Sequence, residues 1–388
     1  MRILIVHNIL WAHYKASVFE ALQRAVDRQP GVTLKVLQIA RNELSRAGLD
    51  ATTDAASPVY SYEYELLFDR FLDDVSLRER AMALLRHVRA FRPDVINLTG
   101  YHDPAQLLVL LWANATGIRV VMQNESTAAD HQRGNWKERI KRWVFDRCDG
   151  FFCFGEQSAT YLIGLGVAPS RILLRKNAVD NNALRIAYDR ALPARVQQQQ
   201  TQRLRPNNFV FVGRLTAFKN LSTLLTSFVE AQRQSYNAAD WGLILLGDGP
   251  EREMLQQKIS ELGVGNAVRL LQGRPWFRVP DVLALSNVLV LPSTSEPWGL
   301  VVNEAMVCGL PVIVSDRCGC VPDLVHDGQN GFVFDPGQPA ELTRHLTRFM
   351  NGSVDVEQMS RLARQSIVPY SPEAVAQEML AGFMKVAT

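Results

Sequence analysis

Two glutamates with a spacing that suits carbohydrate chemistry lie in the last third of the chain. Glu296 falls in a Pro/Trp/Gly turn after an apolar segment, and Glu304 comes eight residues later, about one turn inside a predicted helix. An ionised carboxylate only accepts hydrogen bonds, and sugar hydroxyls donate them. The predicted helix after Gly299 would also direct free N–H groups and the positive end of its dipole to the same place, which suits a phosphate.

Two cations follow an earlier strand-like segment in a comparable position. In "FVGRLTAFKN" (211–220), Arg214 comes directly after Gly213, and Lys219 comes five residues later. These groups at the end of a strand suit a diphosphate, although a solvated surface pair would have the same sequence. A ligand made of a sugar, a diphosphate and a second sugar would use both cations and both glutamates. That ligand is a nucleotide sugar.

The elements that must position these residues alternate between strand-like and helix-like segments. Apolar runs such as 2–7 and 209–213 are followed by segments with helical spacing, such as 16–27 and 220–232. The alternation predicts the α/β class with mostly parallel sheets. The pattern weakens midway and then restarts, and 388 residues exceed one ordinary core. We therefore predict two Rossmann-like, doubly wound domains that face an interdomain cleft.

The predicted domain boundary lies near a polar, glutamine-rich stretch, 195–208, which we interpret as the interdomain connection. The N-terminal domain is assigned to residues 1–190 and the C-terminal domain to 191–369. The last helical segment, within 370–388, opens with Ser371 as N-cap and is assigned to the N-terminal domain. Ligands of such sheets bind at the carboxyl ends of the strands.

Composition and missing motifs exclude several classes of protein. The net charge is +3 and no basic and aromatic strip recurs, so we expect no nucleic acid partner. The five cysteines lack the spacing of a disulfide framework or a complete zinc site, which indicates reduced thiols in the cytoplasm and no metal. We find neither a run of 18 apolar residues nor a signal peptide. No Gly-x-Gly-x-x-Gly follows a first strand, which argues against a dinucleotide-dependent dehydrogenase.

These segments together resemble one known family. "EPWGLVVNEAMVCGLPVIVS" resembles the Glu-x7-Glu signature of the retaining glycosyltransferases of family 4, which have the GT-B fold. "VGRLTAFKN", "LLGDGPE", "LGVAPSRILLRKNAVD" and "PDLVHDGQNGFVFDPG" resemble further segments of that family. The resemblance covers residues 150–388. It implies a hexosyltransferase that uses a nucleoside-diphosphate sugar, retains the anomeric configuration, and needs no cofactor or metal.

The resemblance also implies roles for residues of the second half. Glu296 would hold hydroxyls of the donor sugar, and Glu304 would hold the ribose hydroxyls. Arg214 and Lys219 would neutralise the diphosphate and, with Glu296, form the catalytic set. The remaining donor-binding residues would be Gly213, the backbone N–H groups of Gly299, Leu300 and Val301, and Arg274 beside the base.

The first half departs from the commonest pattern of the family. It has "HNILWAHYKAS" where many members carry a glycine-rich loop, and "MQNESTAADHQRG" where many carry a histidine. The acceptor-side candidates are therefore Glu125, Ser126, His131 and His13. Histidines at strand ends, including His7 and His102, often have a structural role instead.

A basic amphipathic segment bears on the acceptor. Residues 135–147 set Trp136, Ile140, Trp143 and Val144 on one helical stripe among four cations. Such a helix can lie at a membrane surface, or it can pack the stripe on the sheet of its own domain. We expect a saccharide or lipid-linked saccharide acceptor, as in bacterial polysaccharide assembly, and a cytoplasmic protein that contacts the inner face of the membrane.

Two alternatives to a transferase are open at this point. One is a non-catalytic subunit that binds a nucleotide sugar, and the other is a GT-B epimerase or phosphorylase. The presence of Glu296, Arg214, Lys219 and Glu304 together favours the enzyme, because a scaffold has no need of the full set.

Overall fold

The structure is a computed structural model, and it divides into two compact units. Unit 1 comprises Met1–Asp180 with Tyr370–Thr388, and unit 2 comprises Asn181–Pro369. The residues that it describes are 1–10, 12–44, 60–127 and 135–388. Within these ranges, no helix is both long enough and apolar enough to cross a bilayer.

In its described residues, unit 1 is built on seven parallel strands in the order β3-β2-β1-β4-β5-β6-β7. The strands are β1 (Arg2–Ile9), β2 (Thr33–Asn42), β3 (Tyr64–Phe71), β4 (Val95–Leu98), β5 (Arg119–Asn124), β6 (Gly150–Cys153) and β7 (Ile172–Arg175). Its described helices before residue 180 are α1 (His13–Asp27), α2 (Leu77–Phe91), α3 (Pro104–Thr116), α4 (Asn135–Phe145) and α5 (Glu156–Gly164).

The two faces of this sheet are covered by different helices. Successive residues of a strand point to opposite faces. Ile3 and Ile5 pack with α1, whereas Leu4 and Val6 pack with α2, α3, α4 and α5. The last helix of the chain (Pro372–Ala387) joins α1 on its face and begins where Ser371 Oγ accepts the N–H of Ala374 at 3.2 Å.

Unit 2 is built on six parallel strands in the order β10-β9-β8-β11-β12-β13. The strands are β8 (Asn207–Val212), β9 (Trp241–Leu246), β10 (Val268–Leu271), β11 (Val288–Leu291), β12 (Val312–Ser315) and β13 (Gly331–Phe334). The helices are α6 (Asn181–Ala191), α7 (Arg195–Thr201), α8 (Leu221–Gln234), α9 (Arg252–Glu261), α10 (Val279–Leu283), α11 (Leu300–Val307), α12 (Val321–Leu324), α13 (Pro339–Met350) and α14 (Val356–Ile367); the last helix is α15.

The passage between the units comes ten residues earlier than the predicted boundary between residues 190 and 191. Leu184 and Tyr188 of α6 are buried, and α6 packs against α10 and α11 of unit 2. Within the glutamine-rich stretch, Arg195–Thr201 form α7 and the last two residues open β8. The buried Gln199 donates from Nε2 to the carbonyls of Pro206 (3.1 Å) and Leu285 (3.0 Å), so this stretch packs into unit 2. The polar composition suggested an exposed connection, but one glutamine of the run is buried and hydrogen-bonded within unit 2.

Candidate functional site

The residues with predicted chemistry in unit 2 gather at the point where the strand order reverses. The neighbours β8 and β11 lead to strands on opposite sides, β9 and β12. Right-handed connections therefore place α8 and α11 on opposite faces of the sheet. The loops after β8 and β11 diverge at their carboxyl ends, where ligands of doubly wound sheets bind.

The loop after β8 holds one buried and one exposed cation. The N–H of Gly213 donates to Leu246 O at 3.0 Å, and the N–H of Leu215 donates to Asp248 O at 2.9 Å. These bonds tie the loop to the end of β9. A single helical turn, Ala217–Lys219, then buries Lys219, whereas Arg214 is exposed. The guanidinium of Arg214 makes no hydrogen bond or ion pair with the part of the chain that the structure describes.

The loop after β11 carries Glu296 and is fastened to both of its neighbours. On one side, the N–H of Thr294 donates to Phe218 O at 2.8 Å. On the other side, Glu296 donates its N–H to Arg317 O (3.3 Å) and accepts the N–H of Gly319 at 2.9 Å. The backbone of Glu296 is thereby fixed between the loops that follow β8 and β12.

Lys219 and Glu296 form an ion pair across the reversal of strand order. Nζ of Lys219 donates to Oε2 of Glu296, and their side chains are only 11 % and 16 % exposed. Oγ of Ser293 lies 3.5 Å from the same carboxylate oxygen. Breaking a poorly hydrated pair by removing one partner is strongly destabilising, because the other charge is left uncompensated. A ligand that offers an anion to Lys219 and hydroxyls to Glu296 could open the pair and leave both groups satisfied.

The start of α11 presents backbone donors beside this pair. Gly299 has φ of +97°, a conformation that side-chain-bearing residues rarely adopt, and a Cβ there would lie 3.0 Å from Leu291 Cδ2. In the described structure, the N–H groups of Gly299, Leu300 and Val301 donate no hydrogen bond. Free N–H groups at a helix N-terminus are suited to an anion.

Glu304 lies deeper in α11, and no described residue places an opposite charge beside it. Its side chain is half-buried, and burial raises its pKa to about 7. It makes no hydrogen bond or ion pair with any side chain in the described ranges. The carboxylate is therefore available to accept hydrogen bonds from a ligand, such as those of two hydroxyls.

Sequence reasoning missed the residues that hold the loops after β9 and β10. Oδ2 of Asp248 accepts the N–H of Gly273 at 2.7 Å, and Nη1 of Arg252 donates to Asp248 Oδ1 (3.1 Å) and Gly247 O (2.9 Å). The four-residue spacing of Asp248 and Arg252 was a usable signal, because Arg252 opens α9 and the tight turn before it brings the two side chains together. This network sets the backbone beside Arg274, which is half-buried and unpaired among the described residues.

The acceptor-side candidates of unit 1 are only partly described. Glu125 is exposed after β5, and Ser126 Oγ lies 3.4 Å from the hydroxyl of Tyr101. His131 lies outside the described residues. His13 begins α1, but its side chain is outside them as well.

Two other histidines lie near the carboxyl ends of strands of unit 1, His7 within β1 and His102 after β4. His7 is buried, with Nδ1 at 2.9 Å from Ile9 O and 3.0 Å from Gln38 Oε1, which indicates a structural role. His102 is exposed, and the partial covering of its ring, together with the charge of Lys141, lowers its pKa.

Two family models match the chain, one in each half. The model described as a glycosyl transferase 4-like domain matches residues 15–178, and the model of glycosyl transferases group 1 matches residues 194–366. The chain belongs to the family 4 glycosyltransferases. The family and the two-sheet α/β architecture predicted from the sequence are confirmed.

Known relatives of this family 4 chain match part of its length. A D-inositol 3-phosphate glycosyltransferase of Corynebacterium jeikeium is 27% identical over 237 residues, which are 59% of this chain and 56% of that protein. A lipopolysaccharide 1,6-galactosyltransferase of Salmonella typhimurium is 31% identical over 155 residues, 39% of this chain and 42% of its own. The chain thus matches about half the length of the curated relatives.

A solved structure supports the GT-B fold of this family 4 chain over its whole length. The structure of Anabaena HepE in complex with UDP has a TM-score of 0.75 and 18% sequence identity. The superposition covers 99% of this chain and 100% of the other. At this identity, the likeness establishes the fold, and the ligand has to be inferred from the residues of the site.

Proposed function

We propose that the chain transfers a hexosyl group from a nucleoside-diphosphate sugar to a hydroxyl of a saccharide acceptor, with retention of configuration. The observation that carries the proposal is the Lys219–Glu296 ion pair at the β8/β11 reversal, with the unpaired Arg214 and Glu304 on either side of it in the sequence. Cations, carboxylates and free N–H groups at one sheet edge match a diphosphate between two sugars.

Each charged residue has a distinct part in the proposed reaction. Arg214, Lys219 and the N-terminus of α11 bind the diphosphate, and Glu304 accepts the ribose hydroxyls. Glu296 accepts hydroxyls of the donor sugar. The bond between the anomeric carbon and the β-phosphate oxygen breaks, and its electron pair leaves with the phosphate. The acceptor oxygen bonds to the same face of the carbon and passes its proton to the leaving phosphate oxygen.

The positive charges matter most while the sugar–phosphate bond breaks. Negative charge then builds on the leaving diphosphate, and preorganised donors at that position lower the barrier, each by about 3–4 kcal/mol. We propose that Lys219 and Arg214 supply this stabilisation without a metal ion.

The acceptor is proposed to be a saccharide or a lipid-linked saccharide. The Salmonella relative is named for a lipopolysaccharide, and α4 of this chain presents a suitable surface. Ile140 and Trp143 are 53% and 46% exposed, although Val144 is buried against the sheet. The side chain of Trp136 is outside the described residues. The predicted stripe is therefore divided between the sheet and solvent: Val144 is buried, and Ile140 and Trp143 face solvent.

The neighbouring helices extend this surface on the same face of the unit 1 sheet. Exposed large apolar residues also occur on α2 and α3, and exposed arginines lie among them on α2 and α4. The apolar residues are Leu77, Met82, Leu108 and Leu111, and the arginines are Arg78, Arg86, Arg89, Arg139 and Arg142. Apolar and basic side chains together suit the surface of an anionic bilayer. We propose that this face, which includes part of 135–147, contacts the membrane that holds the acceptor.

A thermal-shift panel of UDP, GDP and ADP with their sugars tests the donor part of the proposal. A ligand that binds only the folded chain raises its melting temperature by mass action. We expect one nucleoside diphosphate and its sugar to give the largest shift, and slow release of the free nucleoside diphosphate from that sugar. A shift without any turnover would indicate a binding subunit, and no shift with any nucleotide would overturn the proposal.

A further inference from the structure

A lysine of unit 1 is buried, and no described residue brings an opposite charge into contact with it. Lys15 lies in the first turn of α1 and is 6% exposed. Its ammonium group lies 3.6 Å from the ring centroid of Phe154 and makes no hydrogen bond or ion pair with any described residue. A buried ammonium group without a hydrogen-bond acceptor costs free energy. Another group that accepts from Lys15 would remove part of this cost.

A hydrogen-bond acceptor without a partner lies close by. Gln123, near the end of β5, donates from Nε2 to Asn97 Oδ1 at 2.7 Å, and Asn97 Nδ2 donates to Val121 O at 3.1 Å. These two bonds distinguish the nitrogen of the Gln123 amide from its oxygen. Its Oε1 is buried and has no partner in the described part of the chain. Gln123 therefore needs a donor, just as Lys15 needs an acceptor.

Both residues line one small cavity at the carboxyl-terminal edge of the unit 1 sheet. Its volume is about 20 Å³, and its other walls include aromatic rings at the end of β6 and two side chains of α15. About 10–15 Å³ is enough for one water-sized oxygen. The cavity thus has room for one such atom and is too small for a phosphate group or a sugar ring.

We propose that Lys15 and Gln123 together bind one hydroxyl oxygen in this cavity. An ammonium group only donates and an amide oxygen only accepts, so the bridging group must do both, as an O–H group does. A carboxylate or a phosphate has no proton for Gln123, and an apolar group would satisfy neither residue. The hydroxyl belongs to a water molecule or to a sugar bound at this edge. The site is independent of the transferase proposed for the chain.

The charged groups around Lys15 agree with this assignment. Burial lowers the pKa of Lys15 to about 8, against the opposing effect of the Glu125 charge. Lys176, which follows β7, lines the same cavity, but its Nζ is paired with Glu378 of α15 at 2.6 Å. An oxygen that accepts from Lys15 stabilises its charged form and opposes this lowering, so loss of that oxygen should lower the pKa of Lys15.

Crystals of the full chain, grown alone and soaked with glucose or galactose, test the site directly. We expect one oxygen within hydrogen-bonding distance of both Lys15 Nζ and Gln123 Oε1. Isolated density that persists in the soaked crystals identifies a water, and density continuous with a sugar ring identifies a saccharide. An empty cavity, or a direct bond between Lys15 and Gln123, would overturn the proposal.

A titration of the Lys15 ammonium by nitrogen-detected NMR tests it in solution. Gln123→Leu should remove the oxygen and lower the pKa of Lys15. The matched control Lys176→Met removes a cation from the same wall and should keep the oxygen while raising that pKa. If Gln123→Leu does not fold, Lys15→Met serves in its place and should empty the cavity of its oxygen. An unchanged Lys15 titration in Gln123→Leu would contradict the proposal.

Discussion

Lys219 of unit 2 and Lys15 of unit 1 are both buried near the carboxyl-terminal edge of a parallel sheet, but their charges are compensated differently. Lys219 is ion-paired with Glu296, whereas Lys15 lies over the ring of Phe154 without an ion pair in the described structure. A paired lysine can exchange its partner for the anion of a ligand. An unpaired one lowers the stability of its unit until another group bonds to it.

The two points at which the strand order reverses also differ in the charge of their side chains. At the β1/β4 reversal of unit 1, Gln106 donates from Nε2 to Asn8 Oδ1 at 2.6 Å and accepts the N–H of Thr99 at 2.9 Å. These neutral groups satisfy one another. At the β8/β11 reversal, the side chains are charged, and Arg214 has no partner among the described residues. The comparison is the reason for proposing that a diphosphate binds in unit 2.

The largest expected effect that separates the two lysines is on turnover. Lys219→Met should lower kcat by about 10²-fold or more and change the donor KM much less, because its charge stabilises the leaving group mainly in the transition state. Lys15→Met should leave kcat within a few fold. Steady-state kinetics with the donor identified by thermal shift measure both. A Lys219→Met enzyme with near-normal kcat would show that the charge is stabilised elsewhere.

Two further measurements sharpen the assignment of charge to side chains. Arg214→Lys should restore only part of the activity lost in Arg214→Ala, because an ammonium group cannot present the planar fork of a guanidinium to phosphate oxygens. A chelator should leave native activity intact, and added Mg²⁺ should not rescue Lys219→Met. Loss of native activity on chelation would contradict the metal-independent mechanism.

The two substitutions should have opposite effects on the free energy of unfolding, because loss of Lys219 breaks an ion pair whereas loss of Lys15 removes a buried charge. Lys15→Met should stabilise unit 1 by up to about 3 kcal/mol at pH 7, since burial lowers the folded pKa of Lys15 from 10.5 to about 8 and one pKa unit corresponds to ~1.4 kcal/mol. The oxygen proposed to bind Lys15 reduces this gain. Between pH 8 and 10.5 only the unfolded chain keeps this proton, so native stability should rise with pH in that window. Denaturant unfolding of the native chain and of Lys15→Met from pH 7 to pH 10 measures the difference in their free energies of unfolding. Equal stability at pH 7 would contradict the unpaired charge.

Nucleotide affinity should depend on pH through Glu304. Burial raises its pKa to about 7, and only the ionised form accepts hydrogen bonds from both ribose hydroxyls. Affinity for a nucleoside diphosphate should therefore rise about tenfold from pH 6 to pH 8. Calorimetry on Glu304→Gln, which should bind more weakly at pH 8, isolates this effect from titration of the phosphate itself. An identical pH dependence in both proteins would exclude the role of Glu304.

The smallest expected effect concerns the exposed face of unit 1. The chain should co-sediment with anionic liposomes, less so at high salt because the attraction is partly screened. Trp143→Glu and Leu111→Glu should each weaken this binding several-fold. Met384→Glu is the matched control, because Met384 is also exposed but lies on α15, on the other face of the sheet. Equal losses in all three variants would argue against a specific membrane-facing surface.

The sequence predicts unit 2 better than unit 1, for physical reasons. Lys219 and Glu296 belong to turns whose spacing is local, so their approach follows once β8 and β11 are placed as neighbours. In the sequence, Lys15 resembles an ordinary lysine in the first turn of a helix. Its burial depends on Phe154 and on α15, which comes more than 350 residues later, and no local pattern encodes that contact.

Hydrogen–deuterium exchange with and without the nucleoside diphosphate that gives the largest thermal shift tests the central claim most directly. The claim is that the diphosphate binds in unit 2 between the loop after β8 and the start of α11. Bound phosphate should slow exchange most at residues 213–219 and 299–301, where backbone N–H groups meet it. Peptides of unit 1 that cover residues 7–15 and 122–127 should change much less. Protection confined to those unit 1 peptides, or no protection at 299–301, would contradict the account.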